Sequence, residues 1–460
     1  MAGDAERLLR SSRTAWMMGM RGSRLVTDEA AKLRAAARQG IGPGTMNVDR
    51  IDPSDAAPGP APSSARGLLR DLSIANIVNG LVGFLFAATG PAAVILATGT
   101  KAGLGEADLA SWLFGAFFIN GIVSILFSLV WRQPLVFFWT IPGTVLVGPA
   151  LGHLTFAQVV GAFIVTGLLM MALGASGLVR RAMLAIPMPI VMGMVAGVFL
   201  QFGLDWVHAF RADPLIAVAM TAAFLVTGAA PAAFTARVPP FLVALAAGVA
   251  VIAASGTFAP GLDQVPQLAL PRLHRPEWSL AAMIELVVPL AITVLVVQNG
   301  QGIAVLTAAG HTPPINAIAV ACGAGSIACA IVGCVSTCLT GPVNAIISGT
   351  RERHTQYTAA VVVGLLAVGF GAIAPQVARL LLAAPPAFIA TLAGLAMLRV
   401  LQGAFTIAFH SRFALGALVT FLVTVAGIPI LNIGAPFWAL IAGAAVSLLM
   451  ERADWRAGEG

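Results

Sequence analysis

Between residues 71 and 450, long apolar runs alternate with short polar connections. A helix needs about 20 apolar residues to cross the hydrocarbon core of a bilayer, and most of these runs approach that length. The pattern therefore predicts an all-α polytopic membrane protein with fourteen transmembrane segments. The predicted segments are 72–97, 108–131, 134–151, 157–178, 186–204, 214–229, 239–256, 280–301, 315–332, 334–349, 357–375, 383–405, 413–429 and 432–450.

The third and the tenth segments are predicted to be broken. The third begins with the β-rich run 135–140 (LVFFWT), and the tenth begins with small polar and β-branched residues; each then contains a proline–glycine pair, Pro142–Gly143 or Gly341–Pro342. This order predicts a short β-strand followed by a half-helix. Broken segments at corresponding places in two halves of a chain are typical of the central site of a secondary transporter.

Extended chain inside a membrane must satisfy its backbone hydrogen-bonding groups within the protein. We therefore expect the extended stretches 135–140 and 334–340 to pair with each other in an antiparallel manner. The half-helices would then direct their N-termini, with free N–H groups and partial positive charge, toward one central point. Such a point favours an anionic or strongly hydrogen-bonding ligand.

The two halves of the chain resemble each other around prolines at the starts of segments five and twelve. Eight residues separate Pro189 from Gly197, and eight also separate Pro386 from Gly394. Pairing segment five with twelve and three with ten gives an offset of seven. An odd offset predicts a seven-plus-seven inverted repeat. The alternative is chance similarity between helices that are rich in Ala, Gly and Pro.

Composition agrees with a membrane protein, because 58% of the residues are hydrophobic and 10% are charged, against about 25% charged in soluble domains. The net charge of +7 does not indicate a nucleic-acid partner, since eleven of the 26 Lys and Arg precede residue 71 and most others flank apolar runs. The bias of these cations between the connections predicts that both termini are cytoplasmic.

The terminal regions differ from the apolar part of the chain. Residues 1–70 are rich in Arg, Ala, Ser, Gly and Pro, which predicts a disordered basic cytoplasmic tail. A basic anchor on the membrane surface is the alternative. Residues 451–460 are predicted to form a cytoplasmic C-terminal tail.

Segment eight supplies three neighbouring amides, Gln298, Asn299 and Gln301. Amides are costly in an apolar span unless they face a polar cavity, although they could instead form a solvated helix cap. With the two breaks, they complete the predicted substrate-binding set. This set consists of Trp139, Thr140, Pro142, Gly143, Thr144, Gln298, Asn299, Gln301, Thr337, Thr340, Gly341 and Asn344.

Other polar residues in the spans have weaker claims to a functional role. Asn76, Asn79 and Asn120 are expected to bridge helices. Glu285 is interpreted as an interface residue, with a proton carrier as the alternative. Cys334 and Cys338 could suggest a metal pair, but all four cysteines are expected to be buried free thiols. We expect no cofactor or metal, and the spans lack the clustered His and carboxylates of a membrane-embedded enzyme.

The stretches RQPLVFFWTIPGTVLV (132–147) and VVQNGQGIAVLTAAGHTPPINAI (296–318) resemble the benzoate:proton symporter family of bacterial inner-membrane transporters. The resemblance extends over about residues 70–450. It implies the fold shared with nucleobase, ascorbate and sulfate transporters, in which a core domain moves against a gate domain. In this chain the core would comprise 72–178 and 280–375, and the gate 186–256 and 383–450.

The resemblance also implies uptake of an aromatic carboxylate such as benzoate, driven by proton symport, in a protein that could form a homodimer through its gate domain. Gln298 stands where nucleobase transporters tend to carry a glutamate, which fits an anionic substrate. Val335 and Cys338 replace polar residues that are typical of the family, so the exact substrate stays open. The alternatives are an inorganic anion, such as sulfate or bicarbonate, and a nucleobase.

Overall fold

A computed structural model describes residues 65–179, 181, 186–231, 240–255, 266–350, 352–410, 412–431 and 433–456. The predicted basic tail therefore lies outside the described residues except for its last six positions, and so do residues 457–460 of the predicted C-terminal tail. Arg180, Arg237 and Arg351, which lie in connections predicted to be cytoplasmic, are also outside them.

The described part of the chain is mainly helical, which confirms the predicted fold class. Helices of the first half are α1 (Ala65–Asp71), α2 (Ile74–Lys101, interrupted at Thr89), α3 (Glu106–Trp131), α4 (Ile141–Ala150), α5 (Phe156–Ser176), α6 (Met188–Ala212), α7 (Pro214–Gly228) and α8 (Pro240–Ser255). Strand β1 (Phe137–Trp139) lies between α3 and α4.

The second half repeats this order of long helices, a strand and a short helix. Its helices are α9 (Leu280–Ala308), α10 (Ile315–Ile331), α11 (Gly341–Ile347), α12 (Tyr357–Ala372), α13 (Ala374–Leu382), α14 (Pro386–Phe409), α15 (Ala414–Ala426), α16 (Ala435–Met450) and α17 (Arg452–Arg456). Strand β2 (Thr337–Leu339) lies between α10 and α11, and a 3-10 turn (Arg353–Thr355) precedes α12.

Seven helices among the described residues are long and apolar enough to cross a membrane: α2, α3, α5, α6, α9, α14, and α12 together with the turn before it. Six further apolar helices are shorter, and α4 is one of them. Every predicted segment coincides with one of these helices or with a strand and the helix after it. The count of fourteen membrane crossings and the inverted repeat stay predictions.

The two strands pair with each other in an antiparallel ladder, as predicted. Phe138 lies opposite Cys338, with Phe137 opposite Leu339 and Trp139 opposite Thr337. Main-chain hydrogen bonds continue the ladder at both ends, from Thr140 N to Ser336 O (2.9 Å) and from Thr340 N to Val136 O (3.1 Å). The extended backbone therefore has internal partners, which a water-free environment requires.

Buried apolar side chains form two large clusters. One cluster joins α2–α5 with α9–α13 and strand β1, and the other joins α6–α8 with α14–α16. A smaller cluster packs Cys338 and Leu339 of β2 against α9 and α10. A few residues of α2 and α4, including Val94 and Val145, belong to the second cluster and connect the two groups of helices. The four cysteines are buried free thiols, as predicted.

Helices α6 and α14 contact each other closely in the second cluster. Each begins directly after a proline, Pro187 or Pro385, and has a second proline in its first turn. A Cβ atom on Gly394 would lie 2.8 Å from the carbonyl oxygen of Phe202, so glycine is needed for this approach. The proline–glycine spacing in segment twelve thus reflects helix packing.

Candidate functional site

Strand β1 is held by side chains from two helices. Ser124 of α3 accepts a hydrogen bond from Phe137 N (2.8 Å) and donates one to Phe137 O (3.0 Å). Asn344 of α11 accepts from Val136 N (3.0 Å) and donates to Val136 O (3.2 Å). The bonds to Ser124 satisfy backbone groups on the side of β1 that does not face β2, and the bonds to Asn344 hold the chain at the end of the ladder, where Val136 O also accepts from Thr340 N.

Strand β2 is held in a related way by α9 and α10. Ser326 accepts from Thr337 N (2.9 Å), and Asn299 accepts from Leu339 N (2.8 Å) through its Oδ1 atom. The hydroxyl of Thr337 donates to Oδ1 of Asn120 (2.7 Å). Three residues of the predicted site, Asn299, Thr337 and Asn344, therefore have side chains that hydrogen-bond to other parts of the protein.

Asn120 and Asn76 bridge helices, as expected from the sequence. The side chain of Asn76 in α2 donates to the hydroxyl of Thr358 in α12 (2.9 Å) and to the hydroxyl of Thr355 (3.0 Å). Asn120 in α3 donates to the Sγ atom of Cys329 in α10 (3.7 Å) and accepts from the hydroxyl of Thr337 in β2 (2.7 Å). Such bonds fix the relative positions of the helices that surround the strands.

The half-helices α4 and α11 begin differently although both carry proline in their first turn. The hydroxyl of Thr140 caps α4 by accepting from Gly143 N (3.2 Å), and Thr144 donates its hydroxyl to Thr140 O (2.9 Å). Thr340 precedes α11 in the same position, but its side chain makes no capping bond. The backbone N–H groups in the first turn of α11 are therefore not capped by a threonine, in contrast to those of α4.

Thr140 and Thr340 mark the beginnings of the half-helices at opposite ends of the ladder. The central pair is Phe138 and Cys338, so the two threonines are displaced from it by two residues in opposite directions. Four residues at about 3.3 Å each separate them by roughly 13 Å along the strands. The ladder thus keeps the starts of α4 and α11 at this distance from each other.

Helix α9 passes beside this region and contains a π-helical turn, Thr293–Asn299, a feature that is frequent at functional sites. The hydroxyls of Thr140 and Thr293 are 3.5 Å apart. A Cβ atom on Gly302 would lie 2.8 Å from the Leu339 side chain, so α9 contacts β2 closely. The helix continues to Ala308, so the amides of segment eight do not form a helix cap.

Two of these amides have no hydrogen-bond partner among the described residues. Gln298 is 8% exposed, and Gln301 lies directly over the start of α11. A Cβ atom on Gly341 would be 2.5 Å from the Cδ atom of Gln301. A buried amide normally has a partner, and Gln298 has none within the described ranges. Together with Gln301, which is exposed beside it, it is the predicted site residue most suited to contact a ligand.

Aromatic side chains surround the other end of the ladder. The ring of Trp139 lies 5.0 Å from that of Phe117 and 5.7 Å from that of Phe138, measured between centroids. Trp139 is 2% exposed, and its indole N–H has no hydrogen-bond partner in the described part of the chain. The indole ring of Trp139 can pack against the ring of an aromatic acid, and its free N–H can donate a hydrogen bond to the carboxylate.

Sequence reasoning overlooked the serines that hold the strands and the partner of Glu285. The Oε2 atom of Glu285 is 2.9 Å from Nε2 of His153, which lies 132 residues earlier. The role of Ser124 and Ser326 becomes visible only in the structure, where each contacts the first residue of a strand, Phe137 or Thr337. Neither relationship has a local signal in the chain.

Comparison with known proteins decides the family. The sequence pattern of the family described as benzoate membrane transport protein matches residues 70–449, which is most of the chain. The chain belongs to this family. Membership in the benzoate membrane transport protein family assigns the chain to multi-pass membrane transporters and not to enzymes.

Two relatives from the benzoate membrane transport protein family align with this chain over nearly their whole length. Inner membrane protein YdcO of Escherichia coli is 29% identical over 373 residues, which are 80% of this chain and 94% of that protein. The benzoate membrane transport protein of Acinetobacter baylyi is 28% identical over 387 residues, 82% of this chain and 95% of that protein.

Solved structures show the same fold at low sequence identity. The transmembrane domain of the cyanobacterial bicarbonate transporter BicA has a TM-score of 0.57 and 16% identity, covering 82% of this chain and 98% of that domain. The murine anion transporter Slc26a9 in its inward-facing state has a TM-score of 0.57 and 14% identity, covering 84% of this chain and 70% of that chain.

Proposed function

We propose that the protein is a secondary active transporter that imports a small organic anion, an aromatic carboxylate such as benzoate, by proton symport. The family and the name of the Acinetobacter relative support this substrate class. The observation that carries the proposal is the pair of unpartnered amides, Gln298 and Gln301, beside the start of α11. Amide N–H groups bind a carboxylate without carrying charge themselves.

The proposed binding region contains no charged residue. Both broken segments and the stretch 293–302 lack Asp, Glu, Lys and Arg. A carboxylate at Gln301 therefore meets no like charge, and the N–H groups of the first turn of α11 lie next to it. Neutral donors of this kind support release as well as binding, because each bond is weaker than an ion pair.

The ring of the substrate is proposed to lie along the ladder toward Trp139 and Phe138. The distance between the two helix starts exceeds the length of one aromatic ring with its carboxylate. The threonines Thr140, Thr144 and Thr340 add hydroxyls at the two ends. Asn299, Asn344 and Thr337 contribute by holding the strands in position, since their side chains already have protein partners.

Transport is proposed to occur by movement of a core domain, 72–178 and 280–375, against a gate domain, 186–256 and 383–450. The division into two apolar clusters supports this assignment. The substrate site belongs to the core and lies where α6 of the gate approaches it, since Ile141 and Val297 pack against the gate cluster. A shift between the clusters would expose the site alternately to the two sides.

The protein is proposed to reside in the bacterial inner membrane with both termini in the cytoplasm and to form a homodimer through the gate domain. The distribution of Lys and Arg between the connections supports the orientation. Cysteine labelling from the outside tests it after the four native cysteines, which are buried, have been replaced. A residue of the C-terminal tail that labels in intact cells would contradict the orientation.

Uptake by purified protein in proteoliposomes tests the transport activity. Labelled benzoate is expected to accumulate when the external pH is lower than the internal pH, and excess unlabelled aromatic acid should compete with it. Uptake that is indifferent to the pH gradient would contradict symport. Competition by sulfate, bicarbonate or a nucleobase, but not by aromatic acids, would instead support one of the alternative substrates.

A further inference from the structure

Glu285 is a buried carboxylate outside the proposed substrate site. It lies in a π-helical turn of α9, Met283–Val287, and its side chain is 4% exposed. Its Oε2 atom is 2.9 Å from Nε2 of His153, which follows α4 and whose side chain is 23% exposed. The pair therefore connects a buried acid to water through a partly exposed imidazole.

The second oxygen of Glu285 faces the other group of helices. A Cβ atom on Gly434 would overlap the Oε1 atom of Glu285, so only glycine leaves room for the carboxylate here. Gly434 immediately precedes α16, which belongs to the second apolar cluster. Glu285 thus lies at the boundary between the proposed core and gate domains. We call the contact between Glu285 and Gly434 at this boundary the Glu285 seam.

Few other charges act on this pair. The helices packed against the π turn, α4, α5 and α16, contain no Asp, Glu, Lys, Arg or His, and the rest of α9 adds none. The next carboxylate is Glu277, which accepts a hydrogen bond from Thr155 (3.1 Å) near the surface. Among the described residues, His153 is the one ion-pair partner of Glu285.

The charge of the pair depends on one proton. With the proton, on either the carboxylate or the imidazole, the pair is neutral overall and can remain buried. Without it, a bare carboxylate is held against Gly434 with no cation beside it, which costs several kcal/mol in a water-poor setting. Loss of the proton therefore favours movement of Gly434 away from Glu285, so that water can reach the acid.

We propose that Glu285 and His153 form the proton-binding site of this transporter and that proton uptake favours closure of the Glu285 seam. This inference rests on the proposed symport function. One proton is taken from water by way of the exposed imidazole, stays on the pair while the seam is closed, and returns to water when the seam opens. The pair would thereby link the proton gradient to the relative positions of the two domains.

Replacing Glu285 by glutamine tests the site, because the amide has the shape and the neutrality of the protonated acid. In proteoliposomes, Glu285→Gln is expected to exchange labelled for unlabelled benzoate, since exchange needs no net proton movement. Its uptake is expected to lose the acceleration by an acidic exterior. Glu277→Gln removes a nearby carboxylate outside the seam and should retain that acceleration.

The outcomes separate this inference from the proposed function. Unmodified protein that ignores the gradient would contradict symport itself. Unmodified protein that responds, with Glu285→Gln responding equally, would overturn only the assignment of Glu285. His153→Gln provides a second variant if Glu285→Gln does not fold. It should shift the pH profile of uptake toward more acidic values, because the carboxylate alone must then bind the proton, and an unchanged profile would overturn the proposal.

Discussion

The side chain of Asn344 forms two hydrogen bonds with the main chain of Val136, 208 residues earlier in the sequence. Both residues are fully buried. One amide thereby supplies the partner of the Val136 N–H and a second partner, besides Thr340 N, of the Val136 C=O at the edge of the ladder. The beginning of α11 and the beginning of β1 are consequently fixed to each other, although they belong to different halves of the chain.

Asn344→Ala is expected to destabilise the protein. It leaves the buried N–H of Val136 without a partner, at about 1–3 kcal/mol, whereas the Val136 carbonyl keeps its bond from Thr340 N. The melting temperature in detergent should therefore fall by several degrees, as measured by intrinsic fluorescence or a thermal-shift assay. Asn316→Ala is the control, since Asn316 is half-buried in the first turn of α10 and has no side-chain hydrogen bond. Equal melting temperatures for the two variants would contradict this role of Asn344.

The serines that hold the strands should differ in their contribution to stability. Within the strands, Ser124 contacts both backbone groups of Phe137, whereas Ser326 contacts only the N–H of Thr337. Each hydroxyl is also within donating distance of a carbonyl oxygen of its own helix, Asn120 O or Cys322 O. We expect Ser124→Ala to lower the melting temperature more than Ser326→Ala, because it leaves one additional buried group unsatisfied. A larger loss in Ser326→Ala would show that the hydrogen-bond count does not determine the effect.

The amides of α9 should matter for binding and not for folding. Gln298→Ala and Gln301→Ala remove side chains that have no protein partner, so the melting temperature without ligand should change little. Stabilisation by added benzoate should decrease, with about tenfold weaker binding for a loss of 1.4 kcal/mol. Gln376→Ala, which lies at the start of α13, should bind normally. Unchanged affinity in both α9 variants would remove them from the site.

A single methyl group at the start of α11 should disturb the site through Gln301. In Gly341→Ala the new Cβ atom would lie 2.5 Å from Cδ and 2.7 Å from Oε1 of Gln301, so this side chain must move. Benzoate binding, measured by thermal shift or by uptake, should weaken. Gly369→Ala adds the same methyl group in α12 where no atom lies within 4 Å, and it should bind like the unmodified protein.

Much of the fold could be predicted from local patterns. Apolar runs located the helices, and Pro142 and Pro342 marked the breaks, because proline cannot continue the hydrogen bonding of a preceding helix or strand. Pairing of the two extended stretches followed from the cost of unsatisfied backbone groups in a membrane. Helix ends were less predictable: α9 extends to Ala308 and α6 to Ala212, beyond the predicted ends.

The roles of individual polar residues required the tertiary structure. By sequence, Asn344 and Gln301 are both amides close to a break, yet the first is bonded on both sides and the second has no partner. Glu285 could not be paired with His153, nor Ser326 with Thr337, from spacing alone. The sequence by itself determined where the chain is helical, extended or broken, because hydropathy and proline act over a few neighbouring residues. Only the tertiary structure decided which polar groups hold the protein together and which stay open to a ligand, because their partners come from distant parts of the chain.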